Sequence, residues 1–351
     1  LAANISDNWW TEIQKYADMQ EMTREWAVEY VLGHWDGYAN NGNNYFLHVD
    51  KSGKFTMLPW GVDQGLNGPM DYHYPNKLMP QRCLQDANCQ AMYYQAIADT
   101  AAAITSLDLT GFADKVSANV NKWILKNPPN RSFYSYNDAV AYQTGAKFNL
   151  ANSASWPFNS YITNGISEVG WSDSGLSQAT IAGTVVKPVG LSLDLGVIQV
   201  SSGTTSVVVS PVTRQPSTAV VVTGSTNLKV GLNTISIKVT SPNGKNVRTY
   251  TAKVNVPNVI VKTLAVSFSS NGALTTASVT AIKNFAATIK TLKVLSIDLA
   301  SNGIESQRKT LLAKVVSELK KNGLGPLTTQ TTTLNRSLKT TNATATLRCT
   351  N

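Results

Sequence analysis

Two aspartates, Asp36 and Asp63, stand on Gly-containing stretches, Gly33–Asn44 and Trp60–Gly65, with Asn41 and Asn44 between them. Carboxylates with Asn amide oxygens are the hard ligands that Mg²⁺ takes when it also carries phosphates. A loop-borne Asp is also suited to base work at a substrate hydroxyl. The same residue types build turns as a matter of course, so spacing alone leaves a site and plain turn chemistry both open. His34, His48 and His73 are a metal set by type. The aromatic or β-prone neighbours of His34 and His48 suit packed or surface imidazoles better than zinc ligands. Cys83 and Cys89 lie in a short stretch, Arg82–Cys89, expected to be a loop ahead of a helix, with no further soft ligand in sequence reach. The spacing suits a local disulfide, which would imply an oxidising compartment, two core thiols being the alternative. Cys349 is left over. Asn4, Asn130, Asn335 and Asn342 open N-x-Ser/Thr triplets, which a Thr/Ser-rich tail also produces by chance.

The elements that must position these residues are short. A helix is expected over Thr23–Leu32, with Trp26, Ala27, Tyr30 and Val31 on one face. It delivers the chain into the Gly33–Asn44 loop. Tyr45–Val49 and Phe55–Leu58 read as strands joined by Asp50–Lys54, a hairpin that returns the chain to Trp60–Gly65. Helices are expected to resume at Asn88–Thr105 and, after Asp108 as N-cap, at Thr110–Lys126.

Composition divides the chain. Its 351 residues suggest about two or three domains. All eight Trp lie at or before Trp171, whereas only Tyr250, Phe268 and Phe285 represent the aromatics beyond it. Residues 1–165 carry net charge −4 and residues 166–351 net +13, so the overall +9 describes no single part. Residues 175–257 are Val/Thr/Ser runs broken by Gly and Pro. There Asn233–Val239 and Val247–Val256 alternate about an Asn243-Gly244 turn, a pattern of an immunoglobulin-like sandwich. Residues 262–351 read as strand Leu264–Phe268, helix Thr275–Lys290, strand Leu292–Ile297, helix Ile304–Asn322 and two β-prone runs ending at Ala343–Cys349, a small α/β sandwich. The expected fold class is thus multidomain α+β: 1–170 mostly helical with a hairpin, 175–257 all-β, 262–351 α/β. No apolar run reaches the ~18 residues of a membrane span, so none is expected. The basic half lacks aromatic stacking platforms, so no nucleic-acid partner is expected.

The order Trp26–Tyr38, Asn43–Leu47 and Gly53–Asp63 resembles the CotH family, atypical extracytoplasmic or secreted protein kinases first known from bacterial spore coats. The family pattern runs helix, N-x-Asp-x-Tyr, Asn-Tyr-x-Leu-Tyr, then a hairpin into Pro-Trp-Asp-x-Asp, and Cys83 and Cys89 before an aromatic-rich helix also recur in bacterial members. The resemblance covers about residues 1–165 and implies a kinase-like C-lobe using ATP with Mg²⁺ or Mn²⁺. It assigns Asp36 as the catalytic-loop Asp, Asn44 as a metal ligand with Asn41 as the alternative, and Asp63 as the metal-holding Asp. Gly61 stands where the family has its first Asp. The resemblance also implies a nucleotide-gripping lobe ahead of residue 1, so that residues 1–351 alone are expected to turn over little ATP. Val220–Val256 is similar to the cadherin-like sandwiches of bacterial surface proteins. Residues 264–349 are similar to a shortened OmpA-like module, whose glycan-binding residues would be Asp298 and Arg308. Together these imply a secreted or cell-surface kinase acting on protein hydroxyls, its last segment holding peptidoglycan or anionic envelope polymers. The alternative is a non-catalytic surface or wall-associated protein on a degenerate kinase-like scaffold.

Overall fold

The computed structural model describes residues 8–124, 135–327 and 329–350, so the Asn4 and Asn130 triplets and the expected helix end at Lys126 lie outside the described residues. The architecture is mixed α+β and divides into two compact units: residues 1–198, 206–226 and 234–253, and residues 199–205, 227–233 and 254–351.

The first unit opens with α1 (Trp9–Ile13) and α2 (Met19–Val31). Helix α2 begins four residues before the expected Thr23, because Asp18 accepts the Glu21 amide (3.1 Å) as N-cap. Its Trp26, Ala27, Tyr30 and Val31 are buried, each large side chain worth about 1.5–3 kcal/mol on burial. The hairpin follows as β1 (Tyr45–Val49) and β2 (Phe55–Pro59), antiparallel from Tyr45↔Pro59 to Val49↔Phe55. It docks on α2 through buried Met57, whose sulfur accepts the Trp26 indole N–H (3.4 Å), and through Thr56, whose hydroxyl donates to Glu21 (2.8 Å).

The expected loop at Arg82–Cys89 is instead the joint between α3 (Leu78–Gln85) and α4 (Ala87–Ser106). Pro80 looks like a breaker in sequence, but it sits in the first turn of α3, where a missing N–H costs no helical bond. Asp86 makes the joint, accepting the Asn88 and Cys89 amides (2.9 and 3.0 Å) to start α4. Cys83 and Cys89 are joined across it by a disulfide with Cα atoms 4.9 Å apart. Helices α5 (Leu109–Ile124) and α6 (Tyr136–Asn159), the small pair β3 (Ile162–Thr163) and β4 (Ile166–Ser167), and α7 (Glu168–Ser172) complete the helical part. Asp108 accepts the Gly111 amide (3.1 Å) at the start of α5.

Seven strands follow: β5 (Leu176–Ile181), β6 (Thr184–Val186), β7 (Asp194–Gln199), β8 (Val209–Thr213), β9 (Ala219–Thr223), β10 (Gly231–Thr240) and β11 (Val247–Val256). They form a three-stranded sheet ordered β6-β5-β8 and a four-stranded one ordered β7-β11-β10-β9. Within the first unit a buried charge network ties α4 to this β region. Arg214 donates to Asp173 (2.9 and 2.6 Å) and Asp99 (2.7 Å), and Arg248 grips both Asp99 oxygens. Gln95 adds a bond to each of Asp99 and Asp173 (3.2 and 3.0 Å). Burial opposes the charge on Asp99, but Arg248 and Arg214 hold its carboxyl below the ordinary range.

The second unit contains β12 (Ile260–Ser267), α8 (Thr276–Thr288), β13 (Lys293–Ser301), α9 (Glu305–Lys321), β14 (Thr329–Leu334) and β15 (Asn342–Thr350). Its sheet is ordered β12-β15-β13-β14, with β13–β14 parallel and both β15 pairings antiparallel. Ile282 and Ala286 of α8 and Leu312, Val315 and Leu319 of α9 belong to its core, the faces that helical spacing marks in the sequence. Cys349 is buried on β15 and is free. Among the described residues no helix is long and apolar enough to cross a membrane.

Candidate functional site

The loop after α2 folds back onto the helix that precedes it. Glu29, 3% exposed, accepts the backbone amides of Tyr38 (2.7 Å) and Ala39 (2.8 Å). Gly37 packs so closely on this carboxyl that a Cβ there would lie 2.4 Å from it, which is why the position between Asp36 and Tyr38 carries no side chain. Burial pushes the Glu29 carboxyl up to about 7, against the two amides that favour its charge. Sequence reading gives Glu29 no role, since nothing in helical spacing reveals that the loop returns to it.

Held this way, the loop surrounds Asp36 with amides. Asn41 Nδ2 donates to Asp36 Oδ1, and Asn44 Nδ2 donates to Asp36 Oδ2 (2.6 Å) and to its carbonyl (3.1 Å). Asn43 Nδ2 approaches both carboxylate oxygens at 3.4 and 3.3 Å. The Asn41 bond foremost, with Asn43 and Asn44, holds the Asp36 carboxyl below its usual range, so it stays an ionised acceptor at neutral pH.

The second loop meets the first at Asn44 and His34. The Trp60 amide donates to the Asn44 carbonyl (2.9 Å), and His34 Nε2 lies 3.2 Å from the Gly61 carbonyl. Gly61 is left-handed (φ +55°), and a Cβ on it would lie 2.5 Å from Asn44 Oδ1. An Asp at this position therefore requires both a strained backbone and a displaced Asn44. Asp63 sits exposed on a 3-10 turn, Val62–Gln64, with Gln64 Nε2 donating to it at 3.3 Å. Among the described residues no hydrogen bond links Asp63 to Asp36, Asn41 or Asn44.

The other candidates lie apart. His48 is exposed on β1, opposite Thr56. His73 is held between Asp71 (2.9 Å) and Glu168 (2.7 Å), so the three histidines make no common site. In the second unit Asp298 accepts the hydroxyls of Thr331 (2.7 Å) and Thr333 (3.0 Å), while Arg308 donates to the Gly303 carbonyl. Among the described residues no hydrogen bond joins Asp298 to Arg308.

Residues 1–153 match the model of a family described as CotH kinase protein. This part of the chain is therefore similar to a kinase-like family, one that in general uses a nucleotide and a metal. No curated protein matches the chain.

The donor chemistry can be weighed against such a metal. Asn44 gives its Nδ2 to Asp36 and its Oδ1 accepts no hydrogen bond among the described residues, and Asp63 offers an exposed carboxylate. Gly61 offers no side-chain donor. Among the described residues no group of three or more His, Cys, Asp or Glu could hold a metal ion by itself. By donor type alone, one carboxylate and one amide oxygen suit an ion that arrives already carrying phosphates, not a bare-ion site.

Proposed function

We propose that this protein is a CotH-like phosphotransferase that moves the terminal phosphoryl group of ATP to protein hydroxyls. The observation that carries the reading is the Asp36 loop: an ionised, amide-ringed carboxylate on a backbone pinned to a buried Glu29. Asp36 would accept the hydroxyl's proton or orient it, which suits an acceptor kept charged at neutral pH. Asn44 and Asp63, with Asn41 as the alternative ligand, would hold Mg²⁺ or Mn²⁺ together with the nucleotide. The ion would supply neutralisation of phosphate charge. The disulfide between Cys83 and Cys89 supports an extracytoplasmic setting, secreted or on the cell surface. In this reading 1–170 is the kinase-like part, 175–257 a cadherin-like sandwich, and 262–351 an OmpA-like module that adheres to peptidoglycan or anionic envelope polymers.

Gly61 favours a second reading, a surface protein on a non-catalytic kinase-like scaffold. The lost carboxylate is not merely substituted, for Asn44 fills the space that a side chain at 61 would need.

Paramagnetic broadening separates the two. Mn²⁺·ATP added to the isotopically labelled chain should broaden the Asn44 side-chain and Asp63 backbone signals, and Asp63→Ala should remove the effect. Asp36→Asn should leave this binding intact and abolish any phosphoryl transfer. Broadening that bypasses Asn44 and Asp63, or that persists in Asp63→Ala, would overturn the assignment of these residues to the metal and favour the scaffold.

A further inference from the structure

Beside the candidate site, α2, α5, α6 and the turn after β2 line a pocket of about 570 Å³ that is open to solvent, within the roughly 300–1,000 Å³ of small-molecule sites. Its walls are apolar: Leu32, Leu66, Leu109, Phe112, Val116 and Leu150. Four ionisable side chains interrupt them, Glu25, Glu29, His34 and Lys147.

Three of the four are engaged elsewhere. Glu29 holds the Tyr38 and Ala39 amides, His34 faces the Gly61 carbonyl, and Lys147 is paired with Asp114 at 2.6 Å. Glu25 is different. It is 9% exposed, and among the described residues its carboxyl makes neither a hydrogen bond nor an ion pair. Its charged neighbours are of its own sign, Glu29 and Glu21 on the same helix. Burial foremost, then Glu29 and Glu21, push its carboxyl up to about 7. Its oxygens keep some contact with solvent, yet a largely buried carboxyl without a protein partner is costly when it ionises.

We propose that this cavity binds an apolar molecule carrying one ammonium group, with Glu25 as its counter-ion. The apolar walls take the body of the ligand, and the ammonium gives Glu25 the partner that the fold withholds. An anion would meet Glu25 and Glu29 together, and a neutral ligand would leave Glu25 uncompensated. Where the body of the ligand covers Glu25 from solvent, the pairing gains over the same contact in water. The inference stands independently of the phosphotransfer reading, since it uses neither Asp36 nor Asp63.

The test is calorimetric titration of the full chain with 4-phenylbutylamine and with its neutral counterpart 4-phenylbutan-1-ol. At pH 8 the amine should bind at least tenfold more tightly than the alcohol. That ratio should fall to near one in Glu25→Gln. It should also fall in the wild type at pH 5.5, where Glu25 takes up a proton while an alkylamine, with a pKa of about 10, stays charged. Ala113→Trp, which sets a bulky side chain into the pocket from α5, should weaken both probes by more than tenfold. Equal affinities at pH 8, no amine binding at 1 mM, an unchanged preference in Glu25→Gln, or unchanged binding in Ala113→Trp would each overturn the proposal.

Discussion

Replacing Arg214 by Met tests what holds the helical part of the first unit to its strands. Arg214 makes two contacts with Asp173, one with Asp99 and one with the Ala98 carbonyl at 3.4 Å. Asp99 keeps Arg248 when Arg214 is lost. Asp173, with no exposed surface, keeps only the Gln95 amide (3.0 Å) and the Gly175 amide (2.8 Å) among the described residues. The variant therefore leaves a carboxylate in the core without its cation, a change that costs about 3–5 kcal/mol. For a unit of this size each kcal/mol lowers Tm by roughly 2–4 °C, so the fall should be on the order of 10 °C. Because every Trp lies at or before Trp171, tryptophan fluorescence during heating reports the first unit without interference from the second. The loss should also depend on pH. Asp99 is held below its ordinary range in the folded chain, so its stabilising share is complete above that range and disappears as pH falls through the folded value. Arg214 shares with Arg248 in lowering that carboxyl, so the part of the Arg214→Met loss that comes through Asp99 should be greatest near neutrality and least in acid. A Tm within 2 °C of the wild type at pH 7 would refute the assignment of the network as the tie.

Glu25→Gln should raise Tm above pH 7 and leave it unchanged at pH 4: a carboxyl lifted from 4.5 to about 7 costs stability as pH rises through that interval, and thermal melts across pH check it. Gly61→Ala should perturb the Asn44 side-chain amide signals, whereas in an Asn44→Ala background it should leave only the small backbone cost of a left-handed non-glycine residue. Replacing Cys83 and Cys89 together by Ala removes a closed loop of short span, and urea titration should show a loss of about 2 kcal/mol. Residues 261–351 carry net +9, so isolated cell walls should retain this segment at low salt and release it near 1 M, where the Debye length is about 3 Å. With Arg308 tied to Gly303, Arg308→Ala should change this retention little.

The sequence made the local elements legible wherever one face had to be buried. Trp26, Ala27, Tyr30 and Val31 mark α2, and Ile282 with Ala286 mark α8, because core-facing positions recur at helical spacing. The hairpin was readable from its turn chemistry, for Asp50 can bond Ser52 and Lys54 locally whatever the rest of the chain does. Helix α3 was not, because Pro80 reads as a stop unless its place in the first turn is known. The crowding of Asn41, Asn43 and Asn44 around Asp36 could be suspected from composition, since all four lie within one loop. The hold of Glu29 on that loop could not, and neither could the meeting of Asp99 with Arg214, which are 115 residues apart. Such pairings are chosen by packing and leave no periodicity behind.

Helix α2 places three carboxyls at successive four-residue steps, and each faces a different task. Glu21 takes the Thr56 hydroxyl of the hairpin, Glu25 lines the cavity, and Glu29 takes the amides that follow Asp36. One rigid rod thereby sets the alignment of both approaches to the site. If α2 shifts along its axis, the hairpin leading to Asp63 and the loop bearing Asp36 travel with it by the same amount. The Trp26–Met57 contact and the Trp60–Asn44 bond tie the same segments, so their relative registry rests on these contacts as well as on the two end clasps.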